Sequence, residues 1–318
     1  MQDAPPATGP APAAEVPLSV VIVTYNVRDL VVACLRSLGE EPAEIFVVDN
    51  ASEDGTVEAV RAAWPEATVI ANPDNRGFAA ANNQALRRAC GRHLCLLNPD
   101  TVVRPGALAR LQEALDRDPR LGIVGPRLLN PDGSLQSAGL SFPTLGALLR
   151  AAVPWTRPPR PPRGAGRGGG DPVPCDWIIG ACMVVRREVL DEVGLLDEAY
   201  FMYGEEKDLC FRAKQAGWQV ACLPEAEVVH YGGQSADQVP VPSYLAFLDS
   251  QFRFLGKHYP PRYARTFARA TLLGCRLRAA GAGLLALLQP ARRELWRRKA
   301  APARAGARRC REFLRGKS

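Results

Sequence analysis

Leu18-Ser-Val-Val-Ile-Val-Thr24 is a run of apolar and β-branched residues interrupted only by Ser19, and no other segment restricts the fold as much. A strand with one wet face alternates apolar and polar residues. One that is apolar throughout is buried on both faces, as in a parallel sheet covered by helices. The segments that follow keep to this pattern. Helical periodicity over Asp29–Leu38 precedes a second strand, Glu44–Asp49, and a turn, Asn50-Ala-Ser-Glu-Asp-Gly55. Helix Thr56–Trp64, strand Ala67–Ala71, helix Asn82–Cys90, strand His93–Leu97 and helix Arg104–Arg117 continue it. This order predicts an α/β domain with a central, mostly parallel sheet.

The second half is less regular. Gly122–Gly125 reads as a short strand, Asn130-Pro-Asp-Gly133 as a hairpin-type turn and Asp176–Arg186 as a strand. Asp208–Ala216 reads as a helix that Asp208 caps and Gly217 closes. Strands at Trp218–Leu223 and Val228–His230 end the domain. The stretch 157–174, crowded with Pro, Gly and Arg, is expected to be a mobile surface loop. Met1–Glu15 is rich in Ala and Pro, without the basic start or apolar core of a signal peptide, and reads as a disordered tail. The expected division is a tail over 1–16, a catalytic domain over 17–255 and a basic helical extension over 256–318.

Charge separates these regions. Sixteen of the 40 Arg and Lys residues, but only two of the 33 acids, lie from Arg262 onward, so the remainder is net acidic by seven charges. Such a tail seeks anionic surfaces. Phe267–Leu288 is apolar but interrupted by Arg269, Arg276 and Arg278. We therefore read amphipathic helices lying on an anionic membrane leaflet rather than a spanning helix. A solvated charged tail is the plainer alternative. Sparse aromatics in the tail, Phe267, Trp296 and Phe313, argue against nucleic acid as its partner. The nine cysteines are odd in number, scattered and mostly within apolar runs, which suits buried thiols in a reducing compartment.

Ligands of open α/β sheets sit beyond the carboxyl ends of the strands. Three polar signatures fall there: Thr24-Tyr-Asn26, Asp49-Asn50 and Asn98-Pro-Asp100. Asp49 can accept the imide N–H of a pyrimidine. Asp100 can offer the hard oxygen that Mg2+ or Mn2+ prefers. Each is also an ordinary turn residue when taken alone. No Gly-rich phosphate loop follows the first strand, which weakens nicotinamide and P-loop readings. Glu205 and Glu206 are adjacent acids between an aromatic cluster and an apolar helical start. Paired acids raise one another's pKa and suit a general base, although a helix N-terminus also collects acids for its dipole.

These residues carry a resemblance. Val21–Asn26, Val47–Gly55, Asn72-Pro-Asp-Asn-Arg-Gly-Phe-Ala79, Leu96–Thr101, Gly180-Ala-Cys182, Gly204–Cys210 and Val228–Ser235 follow one another as in family-2 glycosyltransferases of the GT-A fold, in the branch of bacterial rhamnosyltransferases. The resemblance implies an inverting transfer of a sugar from a nucleoside-diphosphate donor, dTDP- or UDP-linked, to a hydroxyl of a glycan or polyprenyl-linked acceptor. The setting it implies is polysaccharide synthesis on the cytoplasmic face of the plasma membrane. It places Thr24, Tyr25, Asn26, Asp49, Asn50, Arg76, Gly77 and Asn98 around the nucleotide sugar. It assigns Asp100 and His230 to the metal, Glu206 to the base and Glu205 to orienting hydroxyls. Trp177, Gly180 and Ala181 fall on the acceptor side. The branch usually has Glu-Asp where this chain has Glu205-Glu206. Two other classes compete. A nucleotidyltransferase would carry a Gly-rich, basic loop after the first strand, absent here, and a non-catalytic protein would act through the basic tail.

Overall fold

The computed structural model describes residues 16–39, 44–137, 139–147, 170–232 and 240–316. Met1–Glu15 and most of the 157–174 stretch lie outside the described residues. The strands are β1 (Leu18–Thr24), β2 (Glu44–Asp49), β3 (Thr68–Ala71), β4 (His93–Leu97), β5 (Thr101–Val103), β6 (Leu121–Leu129), β7 (Leu135–Ser137), β8 (Val173–Pro174), β9 (Cys182–Arg186) and β10 (Gln219–His230). They form one sheet in the order β3-β2-β1-β4-β9-β6-β10-β5, with β7 beside β6 and β8 beside β10.

The β3-β2-β1-β4 half is parallel, as the apolar runs require. β9 enters antiparallel between β4 and β6, so the other half is mixed. The two terminal strands read from the sequence are one, β10, which pairs parallel with β6 through a register shift between Leu223 and Glu227.

Alternation along β1 sends Leu18, Val20 and Ile22 to one face and Val21 and Val23 to the other. The first face is covered by α1 (Arg28–Ser37), α2 (Thr56–Ala63) and α4 (Ala107–Arg117). The second is covered by α3 (Phe78–Leu86), α5 (Arg187–Val193) and α6 (Glu205–Gln215). Each fully buried Val, Leu or Ile in these layers contributes about 1.5–3 kcal/mol.

Three helix starts differ from the sequence reading. α4 begins at Ala107 rather than Arg104, after a turn at Gly106 with φ +72°. α3 begins at Phe78 rather than Asn82, because Gly77 makes the turn into it at φ +80°. A Cβ on Gly77 would meet the Phe201 carbonyl oxygen at 2.4 Å, so this position has no room for a side chain. α6 begins at Glu205 rather than Asp208, and its cap residue is Gly204. Asp208 is therefore not a cap; it lies inside the helix with its side chain fully buried. The closing role of Gly217, at φ +99°, stands.

Past β10 come α7 (Pro240–His258), α8 (Pro261–Leu288) and α9 (Arg293–Leu314). They share a third core built on Phe252, Phe254, Leu255, Phe267 and Cys310. α7 runs through the boundary expected at 255/256 and ties into α6. Buried Asp208 accepts from Arg212 Nε at 2.7 Å, pairs with Lys257 Nζ at 2.9 Å and lies 2.6 Å from His258 Nε2. The nine cysteines are free, and all but Cys90 are buried.

Candidate active site

The sheet order explains why three distant motifs meet. β2, β1 and β4 are parallel neighbours, with Thr24 level with Asp49 and Ile22 level with Leu97. Their carboxyl ends therefore open onto one edge. A cavity of about 250 Å³ lies there, and Thr24, Tyr25, Asn50, Gly77, Asn98, Asp100, Gly180, Ala181, Glu205, Glu206 and His230 line it. Asn26, Asp49, Arg76 and Trp177 do not line it. Asn26 braces the β2–α2 loop, its amide N–H on the Ser52 hydroxyl and its Oδ1 on the Glu53 N–H. Arg76 points toward Asp74 at 3.5 Å and is half exposed. Trp177 donates its indole N–H to the Ser141 carbonyl, away from the cavity.

Asp49 lies just behind the lining. One carboxylate oxygen accepts the Ser52 N–H at 2.9 Å. The other is buried without a partner, as is the Thr24 hydroxyl. Unmatched buried polar atoms cost free energy unless a ligand meets them. Asn50 is held in place, donating to the Gly77 carbonyl and accepting from Asn72. Among the described residues the non-glycine ones with left-handed φ, Asn26, Ala51 and Tyr203, all border this edge. Such strain is concentrated at functional sites.

A short antiparallel pairing brings His230 to Asp100. β5 follows Asp100 directly, and Thr101 pairs with His230. His230 Nε2 ends 3.4 Å from an Asp100 carboxylate oxygen and 3.4 Å from Asn98 Nδ2. Gln136 fixes the ring. Its amide nitrogen donates to the His230 and Asn130 oxygens, so its Oε1 faces His230 Nδ1 at 2.7 Å. In the neutral imidazole Nδ1 then carries the proton, and the Nε2 lone pair faces a carboxylate. Two lone pairs so placed ask for a cation between them. Among the described residues no cluster of three or more His, Cys, Asp or Glu could hold a metal by itself. One carboxylate and one imidazole fit a Mg2+ or Mn2+ ion that takes its other ligands from diphosphate and water. Gln136 was not legible in sequence, because its role depends on the β6–β7 hairpin.

The acids enter from α6. The turn before it is pinned twice: the Phe201 carbonyl accepts the Phe78 N–H, and Ser250 of α7 donates to the Met202 carbonyl. Glu206 folds back so that one oxygen accepts the Gly204 N–H at 2.9 Å, and its stem packs beside Gly180. Glu205 keeps a buried oxygen with no partner. Loss of solvation raises both carboxyls, and repulsion from Glu206 raises Glu205 further, well above the ordinary carboxylate range. Asn75, Phe78, Ile179, Met202 and Tyr203 also belong to the wall. Asn75 and Phe78 fall in a motif of the resemblance and Met202 and Tyr203 precede the acid pair, but the sequence gives none of the five a role, since each depends on how a loop closes.

This arrangement, a cavity at the parallel strand ends that gathers a carboxylate–imidazole pair and a buried acid pair, suits a sugar-nucleotide transferase. The family model for glycosyl transferase family 2 matches residues 19–194, and the chain belongs to that family. It is 31% identical over 266 residues to the N-acetylglucosaminyl-diphospho-decaprenol L-rhamnosyltransferase of Mycobacterium tuberculosis, covering 76% of this chain and 85% of that one. Among solved structures it is similar to the mannosyltransferase PcManGT of Pyrobaculum calidifontis in complex with GDP-Man and Mn2+. That match has a TM-score of 0.55 and 18% identity, over 99% of this chain and 92% of that one. It is also similar to GalNAc-T7 with UDP, GalNAc and Mn2+, at TM-score 0.54 and 20% identity, over 67% of this chain and 43% of that one. The protein is a GT-A-type glycosyltransferase.

Proposed function

We propose that the enzyme moves rhamnose from a pyrimidine nucleoside-diphosphate donor to a hydroxyl of a sugar carried on a polyprenyl diphosphate, with inversion. The observation that carries this reading is one cavity lined by both the Asp100–His230 station and the Glu205–Glu206 pair. The similarity to the mycobacterial rhamnosyltransferase supports the choice of sugar and acceptor.

The unmatched Asp49 oxygen would accept the imide N–H of thymine or uracil. Asp100 and His230 would hold Mg2+ or Mn2+, and the ion supplies charge neutralisation for the departing diphosphate. Glu206 would take the proton of the acceptor hydroxyl as its oxygen bonds to the anomeric carbon and the bond to the diphosphate oxygen breaks. Glu205 would orient sugar or acceptor hydroxyls. A single displacement of this kind inverts the anomeric centre.

Asp100→Ala is expected to abolish metal-dependent binding of dTDP or UDP while leaving the unfolding curve unchanged. Calorimetry showing unaltered metal-dependent affinity would overturn the assignment.

The membrane is the natural place for such an acceptor, and α8 would meet it side-on. By length and composition α8 could cross a membrane, with mean hydropathy 1.4 over its richest window. Its exposed Leu273, Leu277, Leu284 and Leu288 share a face that is flanked by exposed Arg269 and Arg276. An in-plane position on an anionic leaflet of the cytoplasmic face suits that pattern. The double substitution Leu284→Glu with Leu288→Glu is expected to abolish the salt-resistant part of co-sedimentation with anionic vesicles. Unchanged pelleting would remove α8 as the contact. Deleting 262–318 is a poorer test, because it would strip Phe267 and Phe313 from the core shared with α7.

A further inference from the structure

A second, larger space adjoins the catalytic cavity. It measures about 890 Å³ and lies between the loop before α6, one face of α7 and the end of α9. Tyr25, Asn75 and Met202 belong to the walls of both spaces, so the two are continuous. Its wall is mainly apolar, with Phe201, Phe252 and Phe313 among its residues, and Phe201 is half exposed. A volume of this size is ample for a drug-sized or lipid-like ligand.

Among the described residues three cations stand at this groove, and they differ. Arg309 is paired with Asp249 at 2.5 Å. Lys257 is paired with Asp197 at 2.7 Å and Asp208 at 2.9 Å. Arg253 lies over the Tyr200 ring at 5.8 Å and makes no ion pair among the described residues. A guanidinium without a carboxylate, at the margin of an apolar groove, is suited to a phosphate attached to a hydrocarbon.

We propose that this groove binds the isoprenoid diphosphate of the acceptor: Arg253 contacts the diphosphate, and the first isoprene units lie against Phe201, Phe252 and Phe313. This rests on the transferase reading above and adds to it the part of the fold that selects the acceptor. The sugar at the end of the diphosphate would then reach past Met202 and Tyr25 to the acid pair. Among the described residues α7 and α9, outside the α/β core, supply the cation and most of the wall, so acceptor choice is assigned to the C-terminal helices.

Gly256 gives a clean test. It lines the groove on α7, and a Cβ placed there meets nothing within 4 Å. Gly256→Trp therefore projects an indole from an unobstructed position on the groove wall, and replacing a glycine in the last turn of α7 does not weaken the helix. The probes are a long-chain polyprenyl diphosphate in detergent micelles, the matching polyprenyl alcohol, and dTDP or UDP with Mn2+. Gly256→Trp and Arg253→Ala are each expected to weaken polyprenyl diphosphate binding about tenfold or more, a difference of about 1.4 kcal/mol. The intact protein is expected to prefer the diphosphate to the alcohol, and Arg253→Ala to erase that preference. Diphosphate affinity unchanged in both variants, with nucleotide binding retained, would overturn the groove and leave the transferase reading standing. Equal binding of alcohol and diphosphate by the intact protein would overturn the role of Arg253. Failure of the intact protein to bind any nucleotide would instead overturn the transferase reading itself.

Discussion

Glu205 and Glu206 lie at the cavity end of α6, Asp208 lies two residues further on in the same first turn, and the one helix treats them in opposite ways. The first pair is buried against itself. Loss of solvation raises both carboxyls, and one Glu205 oxygen has no partner. Asp208 is buried more completely, yet its carboxyl is held far below the ordinary carboxylate range. Burial alone would raise it, but His258, Lys257 and Arg212 together outweigh that effect. Lys207 lies between them in sequence, and burial lowers it to about 8 against the pull of Glu206 and Glu205. The difference separates reactivity from anchorage. An acid left short of partners can accept a proton, whereas an acid saturated with cations can only fasten one element to another.

The largest expected effect that sharpens this contrast is at Glu206. Glu206→Gln keeps the shape and removes the basicity, so turnover is expected to fall about a hundredfold or more with donor affinity little changed. In the intact enzyme the rate is expected to rise with pH through a midpoint above the ordinary carboxylate value of about 4.3, because the base must be deprotonated. A steeper loss in Glu205→Gln would exchange the two roles.

Asp208→Asn is expected to act on stability rather than chemistry. It removes the carboxylate that faces Arg212 and His258, which are mostly buried, and is expected to cost about 3 kcal/mol. Urea unfolding measures it, and a loss under about 1 kcal/mol would class the cluster with screened surface pairs. The sign in pH follows from the lowered carboxyl. The stabilisation is full above the unfolded value near 3.9 and is lost as pH falls through the folded value.

The smallest effect has the opposite sign. Glu205 is raised in the folded state, so its contribution is full below about 4.3 and is lost as pH rises through the folded value. Near neutral pH the acid pair therefore weakens the fold. Glu205→Gln is expected to stabilise the nucleotide-free protein by about 1 kcal/mol and to flatten its decline toward high pH, as read by thermal melting. A lower melting temperature in Glu205→Gln would mean that the carboxylate has a partner in solution.

The same contrast explains what could be read from sequence. β1 was plain because it is apolar on both faces, and the α/β alternation followed from it. The start of α6 was not, because Glu205 to Asp208 look like a solvated turn yet all four are buried. Asp208 reads as a cap because its three cationic partners lie on α6 itself and on α7, where no spacing rule reaches. β9 was found, but its direction was hidden: residue type does not tell a strand which way to run. In the site, Thr24, Asn98, Asp100 and Glu206 were legible because strand ends and adjacent acids leave a mark in sequence. Gln136 and Met202 were not, since hairpin pairing and loop closure bring them in.

β5 has a second consequence, for solubility. It is three residues long and forms one rim of the sheet, where free N–H and C=O groups invite another chain to add a strand. Here the Val103 N–H donates to the Ser37 hydroxyl at 3.0 Å, and Cys34 of the same helix lies 3.4 Å from the Thr101 hydroxyl. α1 thus covers the rim that β5 would otherwise leave open. The short segment that seats Asp100 beside His230 also keeps this side of the sheet from templating aggregation.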